Sequence, residues 1–217
     1  MRDLKGVKNG TEFWDTQLGR VKFVNGVEYD DNTSITRLSH LNYATDVGSF
    51  KMKRVEGAIN YSKTKLLTAG LDTSGTMHFA LYDLAMLSGK MDEVDSSHGH
   101  VDLSKVKKQG AFHIPNFTNQ LGHSSIQGFE LSDGNAIYVS SGAPGATPSV
   151  SKFYLGNKTS SSTVFLSNSE WRTPWKIETE GIQLGGDLQI NIAYHDVNDH
   201  DKTKANKIFK FDKKLLG

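Results

Sequence analysis

Residues 126–140 read Ile-Gln-Gly-Phe-Glu-Leu-Ser-Asp-Gly-Asn-Ala-Ile-Tyr-Val-Ser, and this stretch decides the fold class. Two apolar runs, at 126–131 and 136–140, flank a polar segment that contains the pair Asp133-Gly134. An Asp-Gly pair between apolar runs is a strong local signal for a β-hairpin, because both residues tolerate the backbone angles of a tight turn. The stretch therefore predicts two antiparallel strands joined by a short turn.

Similar hairpins recur along the chain, and each is followed by a third, aromatic strand. The units open at residues 56–61, 124–129 and 180–184; their second strands are at 66–69, 137–140 and 190–193, their third strands at 78–82, 152–155 and 207–211, and outer strands at 111–114 and 163–166. Repeated units whose apolar faces only a neighbour can cover are typical of propeller blades. We predict an all-β, β-propeller-like fold with four-stranded blades, about four to five in number, in a ring that can be incomplete. A β-sandwich is the alternative.

The last repeat has no fourth strand of its own, and we expect strands at 13–14 and 20–24 to supply it and close the ring. Helical signals occur only at 83–91 and at 103–108, the latter after Asp102 as a cap. No shift in composition marks a second domain. The sequence therefore predicts a single β-propeller-like domain over residues 1–217.

Composition excludes several classes of protein. The 217 residues contain no cysteine, so disulfides, thiolate zinc sites and a cysteine nucleophile are ruled out. The formal net charge is only +1, and this balance gives no support for nucleic acid as a partner. We see no apolar stretch long enough for a membrane-spanning segment, and the first residues lack the apolar core of a secretory signal.

No complete catalytic or metal-binding motif is present. The segment at 122–126 begins like a nucleophile elbow but lacks its closing glycine. The acidic segment at 196–201 lacks the glycine and the distant glutamate of a calcium loop. The histidine pairs His98 with His100 and His195 with His200 are expected to be solvated loop residues. We therefore expect no metal site and no cofactor, and catalytic residues stay unassigned.

A binding surface is predicted from the repeats themselves. Glu56, Gln127, Glu180 and Gln183 occupy the openings of equivalent units, and a propeller would direct all of them toward its axis. We take these four residues, with His123 at the rim, as the candidate ligand-binding site. Glu56 and Glu180 could instead form the acid/base pair of a hydrolase, which needs two carboxylates facing each other across a cleft.

Several motifs in one order carry a family resemblance. They are RLSHLN at 37–42, FALYDL at 79–84, SIQGFEL at 125–131, DGNAIYVSS at 133–141, GIQ at 181–183 and IAYH at 192–195. With these motifs the chain resembles the helveticin J family of large, heat-labile class III bacteriocins from lactobacilli. Members of that family are longer, and this chain looks like their C-terminal two-thirds. The family in turn resembles the five-bladed propellers of phage receptor-binding proteins that recognise teichoic acid.

The resemblance implies a secreted antibacterial protein, exported without a visible signal peptide, that acts at the envelope of related Gram-positive bacteria. Its expected partner is a cell-wall polymer such as teichoic acid or peptidoglycan. A bacteriolytic cell-wall hydrolase and a non-killing carbohydrate-binding module are the alternatives, and the sequence favours binding over catalysis. Oligomeric state is not predicted, and the resemblance provides no catalytic residues to transfer.

Overall fold

The computed structural model describes residues 5–8, 11–14, 18–21, 35–95, 99–123 and 125–217. The strands in chain order are β1 (Lys5–Lys8), β2 (Thr11–Trp14), β3 (Leu18–Val21), β4 (Ile35–Ser39), β5 (Met52–Ile59), β6 (Lys65–Asp72), β7 (Met77–Asp83), β8 (His100–Asp102), β9 (Gly110–Ile114), β10 (Gly128–Leu131), β11 (Ala136–Ser141), β12 (Ser149–Tyr154), β13 (Ser162–Phe165), β14 (Lys176–Leu184), β15 (Leu188–Asp196) and β16 (Lys202–Phe211). One α-helix, α1 (Leu84–Asp95), and 3₁₀ turns at Leu41–Tyr43, Leu103–Lys105, Phe117–Gln120, Ser169–Trp171 and Lys213–Leu216 complete these ranges. The all-β fold class predicted from the sequence is confirmed for them.

The strands form sheets that are mainly antiparallel. Two sheets have four strands, in the orders β5-β6-β7-β9 and β10-β11-β12-β13; two have three strands, β14-β15-β16 and β3-β4-β8; and β1 pairs with β2. Three of these sheets are the predicted repeats, and the predicted outer strands are β9 and β13. The closed ring of a propeller, like the β-sandwich alternative, stays a prediction.

The hairpin at 126–140 has the predicted architecture with shifted ends. Its first strand begins at Gly128, and the register pairs Leu131 with Ile137. Asn135 takes the left-handed backbone conformation in the turn, with φ of 62°. Every residue of β11 is buried, because this strand lies between two others and is covered on both faces.

The first strands of the chain pair differently from the prediction. β3 pairs with β4, with Leu18 opposite Leu38, and β4 pairs in parallel with β8. β2 pairs with β1, so neither β2 nor β3 supplies a fourth strand to β14-β15-β16, and that part of the prediction is wrong. β3 pairs with β4 because its residue Leu18 packs against the core that contains Leu38. Residues 22–24 lie outside the described ranges.

Contacts divide the chain into two compact units. The first unit comprises Met1–Gly57 and Lys63–His113, and the second unit comprises Ala58–Ser62 and Ile114–Gly217. The prediction of one domain stays a prediction.

In the first unit, α1 follows β7 directly, and the Asp83 carboxylate accepts a hydrogen bond of 2.7 Å from the Met86 amide. Leu87 and Met91, one turn apart, bury this helix against the core, so the predicted helix is confirmed.

The core of the second unit lies between its two sheets. Tyr138 and Val150 contribute from one sheet, and Ile190, Ile192 and Phe209 contribute from the other. Along β15 buried and partly exposed residues alternate through Asn191, as the sequence predicts, so one face of this strand is apolar and the other is polar.

Among the described residues, no helix has the length and apolar character needed to cross a membrane.

Candidate functional site

The polar face of the sheet β14-β15-β16 is the strongest candidate site in the described chain. We define the polar face by side chains that point away from the core of the second unit: Glu178, Glu180, Gln183, Gln189, Asn191 and His195. Side chains alternate between the two faces of β15. Ile190 and Ile192, on either side of Asn191, are fully buried, so Asn191 and His195 lie on the opposite, polar face.

A bulge in β14 shapes this face. Thr179 pairs with Ile192 and Ile182 pairs with Ile190, so Glu180 and Gly181 together stand opposite one residue of β15. A bulge of this kind bends a strand and redirects its side chains, and bulges are frequent next to binding sites. The bulge therefore positions the Glu180 carboxylate without disturbing the buried pairs on either side.

Two carboxylates and one imidazole converge beside the bulge. Glu178 stands opposite Ala193, two residues from His195 on the same face. Glu178 Oε2 lies 3.0 Å from His195 Nε2, and one donor atom each of Glu178, Glu180 and His195 lies within 4.8 Å of the other two. We call these three residues the Glu-Glu-His cluster.

Neighbouring groups orient two members of this cluster. His195 Nδ1 lies 3.2 Å from the Asp201 carbonyl oxygen, and since a carbonyl oxygen only accepts, Nδ1 carries the donated proton. His200 and Asp201 both take the left-handed conformation, which shapes the turn that presents this carbonyl. Gln127 Nε2 donates a hydrogen bond of 2.9 Å to Glu178 Oε1. The imidazole and the Glu178 carboxylate are thus both held in place.

The cluster changes the acidity of Glu180. Burial raises the pKa of the Glu180 carboxyl above its ordinary value, the negative charge of Glu178 raises it further, and His195 opposes the rise. Two carboxylates and a histidine are the donor types that can hold a proton or a cation.

A shallow pocket of about 170 Å³ lies on the same face. Its lining residues are Gly181, Ile182, Gln183, Gln189, Asn191 and Ile208. Asn191 Oδ1 is buried and makes no hydrogen bond to the described residues, and the Ile208 side chain is exposed. Side-chain amides beside a small apolar surface are the groups with which proteins bind neutral polar ligands such as sugars.

The strand β14 is fixed to its neighbour by a close approach at Gly128. A Cβ atom at Gly128 would lie 3.2 Å from the Ile182 amide nitrogen and 3.3 Å from the Glu180 carbonyl oxygen. Ser140 Oγ donates a hydrogen bond of 3.1 Å to that same carbonyl. Glycine at this position therefore lets the two sheets of the second unit meet beside the site.

The structure brings some of the predicted site residues together. Gln127, Glu180 and Gln183 are all at the Glu-Glu-His cluster or at the pocket beside it. His123 lies in the same unit, where its Nε2 donates a hydrogen bond of 2.6 Å to the Thr147 carbonyl. Glu56 belongs to the first unit and accepts a hydrogen bond of 2.9 Å from Arg54 Nε.

The positions of these residues within their strands differ from the prediction. Glu56 and Glu180 lie inside β5 and β14, respectively, and do not open them. Their pairing as a catalytic acid and base stays a hypothesis, as does the ligand-binding role of the five predicted residues.

Sequence reasoning missed Glu178 and His195. His195 lies inside β15 with a side chain that is 12% exposed, so the expectation of a solvated loop histidine is wrong for this residue. The signal that could have found it is the alternation of Gln189, Asn191 and His195 along one strand face.

The described part of the chain is an all-β protein of repeated antiparallel sheets, one of which has a polar face with a shallow pocket. Comparisons with known proteins specify the family. The profile of the Bacteriocin helveticin-J family matches residues 4–214, and the chain belongs to this family. It is 31% identical to Bacteriocin helveticin-J of Lactobacillus helveticus over 226 aligned residues, which cover 91% of this chain and 66% of that protein. The chain therefore spans slightly less than two thirds of the length of this relative.

Among solved structures, the chain is similar to the tail fiber of Staphylococcus aureus phage P68. The two share 16% sequence identity at a TM-score of 0.48, and the match covers 72% of this chain and 28% of the tail fiber.

Proposed function

We propose that this protein is a secreted antibacterial protein that acts at the envelope of related Gram-positive bacteria by binding a cell-wall glycopolymer. The observation that supports this most strongly is membership of the Bacteriocin helveticin-J family, which covers nearly the whole chain. The curated relative is named as a bacteriocin, and we extend that activity to this chain as a proposal.

The chemistry of the polar face fits a glycopolymer. Gln183, Gln189 and Asn191 offer amide donors and acceptors, which bind hydroxyl groups without requiring charge. The exposed side chain of Ile208 adds an apolar contact for the carbon face of a sugar ring. The pocket is shallow, so binding to a long polymer would use the surface of repeated sugar units and not an enclosed cavity.

The experiment measures binding of purified protein to cell walls of sensitive lactobacilli. Gln183→Ala and Asn191→Ala each remove one side-chain amide from the pocket. Loss of one such hydrogen bond to the ligand weakens binding by about fivefold to tenfold. Asn157→Ala is the matched control, because Asn157 is an exposed amide of the same unit outside the pocket, and we expect it to bind like the unaltered protein.

Two further measurements define the polymer and the activity. Walls extracted to remove teichoic acid, compared with intact walls, distinguish teichoic acid from peptidoglycan as the partner. Killing of sensitive cells, measured alongside release of reducing ends from walls, separates binding from hydrolysis. Equal binding by Gln183→Ala, Asn191→Ala and Asn157→Ala would contradict the pocket, and absence of both wall binding and killing would contradict the proposed function.

A further inference from the structure

We propose that Glu178, Glu180 and His195 form a binding site for a divalent transition-metal cation, for which zinc is the natural probe. The sequence gives no such expectation, because the three residues match no linear metal motif. The proposal is independent of wall binding, since it concerns the metal content of the protein itself.

The donor atoms are close to the spacing that a metal requires. Ligands at tetrahedral angles around zinc, each at about 2.0–2.1 Å, lie roughly 3.3 Å from one another. His195 Nε2 and Glu178 Oε2 are 3.0 Å apart, and the third donor, from Glu180, lies within 4.8 Å of both.

The histidine presents an unused nitrogen to the cluster. His195 Nε2 is buried and makes no hydrogen bond to the described residues, although Glu178 Oε2 is only 3.0 Å away. The contact is therefore close but misaligned for an N–H donor. Because Nδ1 donates to the Asp201 carbonyl, the neutral ring carries its lone pair on Nε2, which is the form that binds a metal.

The surrounding contacts resemble those that support known metal ligands. A metal-binding histidine commonly donates its second nitrogen to a backbone carbonyl, and a ligating carboxylate is commonly hydrogen-bonded in turn. His195 has the first contact through Asp201, and Glu178 has the second through Gln127.

The donor set also indicates the class of cation. One imidazole and two carboxylates suit zinc and similar transition metals, whereas calcium prefers six or more oxygen ligands and magnesium retains most of its water. Three protein ligands leave a fourth position for water or for an oxygen of a bound ligand. We therefore expect zinc to bind much more tightly than calcium or magnesium.

The test uses the full chain after treatment with EDTA. Calorimetric titration with ZnCl₂ at neutral pH should give one site per chain, and titrations with CaCl₂ and MgCl₂ should be far weaker. His195→Gln and Glu180→Gln should each weaken zinc binding tenfold or more. Gln127→Ala should weaken it by about tenfold, as expected for loss of a contact that orients a ligand. Binding of Co²⁺ should produce visible absorption bands that disappear in His195→Gln.

His113→Gln is the matched control. His113 also faces a carboxylate, with Nδ1 2.9 Å from Asp46 Oδ1, but that pair is not part of the cluster and we expect zinc affinity to be unchanged. Circular dichroism verifies that each variant is folded. Equal zinc binding by the unaltered protein and a folded His195→Gln would overturn the proposal and assign the zinc to other histidines. Absence of stoichiometric zinc binding by the unaltered protein would overturn it as well.

Discussion

His78 is a buried histidine in the first unit whose surroundings keep it neutral. Its side chain is stacked on Phe50 at 3.9 Å, and its Nδ1 is 2.8 Å from Thr45 Oγ1. Burial lowers the pKa of His78 below its ordinary value, although Asp72, 3.3 Å from Nε2, opposes the change. The charged groups facing this ring are Asp72, Asp46 and, when protonated, His113.

This environment predicts that the protein loses stability on mild acidification. An unfolded histidine takes up a proton at about pH 6.5, whereas folded His78 stays neutral to lower pH. Below about pH 6.5 the unfolded state therefore binds more protons than the folded state, so the free energy of unfolding falls as pH falls. One such group contributes a slope of at most about 1.4 kcal/mol per pH unit.

Urea unfolding of the unaltered protein and of His78→Gln, followed by circular dichroism between pH 7.5 and 5.5, measures this slope. We expect a smaller slope in His78→Gln, because glutamine does not titrate. Asp72 and Asp46 have lowered pKa values, so the stability that they contribute is lost only at more acidic pH and does not enter this window. Identical slopes in the two proteins would contradict the assignment to His78.

At the level of single residues, the sequence predicted part of the candidate site. Gln127, Glu180 and Gln183 were found because they occupy matching places in the repeats, and repetition is visible in one dimension. The convergence of Glu178 with His195 was not found, because it depends on the strand register and on the bulge after Thr179. Register follows from pairing energies across two strands, which a single sequence does not display.

Among the elements, the 3₁₀ turn Lys213–Leu216 attaches to the second unit through one buried side chain. Leu216 is 2% exposed and belongs to the core of that unit, while the adjacent Leu215 is 54% exposed. Ser162 Oγ donates a hydrogen bond of 2.8 Å to the Leu216 carbonyl, and Lys152 Nζ donates one to the Gly217 carbonyl. The turn is thus held by both apolar and polar contacts.

We expect Leu216→Ala to lower the free energy of unfolding by about 2–3 kcal/mol, because it removes buried methyl groups and leaves a cavity. Leu215→Ala is the matched control and should change stability by less than about 0.5 kcal/mol. Chemical denaturation of the two variants at neutral pH compares them directly. Similar losses in both would mean that the turn does not depend on burial of Leu216.

The sequence predicted elements well where their signals are local. Turns with Asp and Gly marked the hairpins that join β6 to β7 and β10 to β11, and Asp83 stands at the start of the only helix described. The one pairing that we predicted between distant segments, of the strands at 13–14 and 20–24 with the last repeat, is wrong. β4 and β8 pair in parallel with Arg37 opposite His100, and alternation identifies the buried face of a strand without identifying its neighbour.

For the whole molecule, the charge balance constrains how it can bind an anionic polymer. The chain has 25 basic and 24 acidic residues, and two of the four lysines of β16 lie in close ion pairs. Lys204 Nζ is 2.7 Å from Asp199 Oδ2 and 3.5 Å from Asp196 Oδ2, and Lys207 Nζ is 2.9 Å from Glu170 Oε2. These pairs reduce the positive charge with which that strand could attract a polyanion over a distance.

Wall binding, if it follows the proposed function, should therefore depend only weakly on salt. We expect affinity for teichoic-acid-bearing walls to change by less than about threefold between 50 and 500 mM NaCl, whereas binding through many released counterions falls by orders of magnitude over such a range. Asp199→Asn is the matched variant, because it removes the partner nearest to Lys204 and should introduce a measurable salt dependence. A steep decrease already present in the unaltered protein would show that charge drives the interaction, and the amides of the polar face would then be secondary to the lysines of β16.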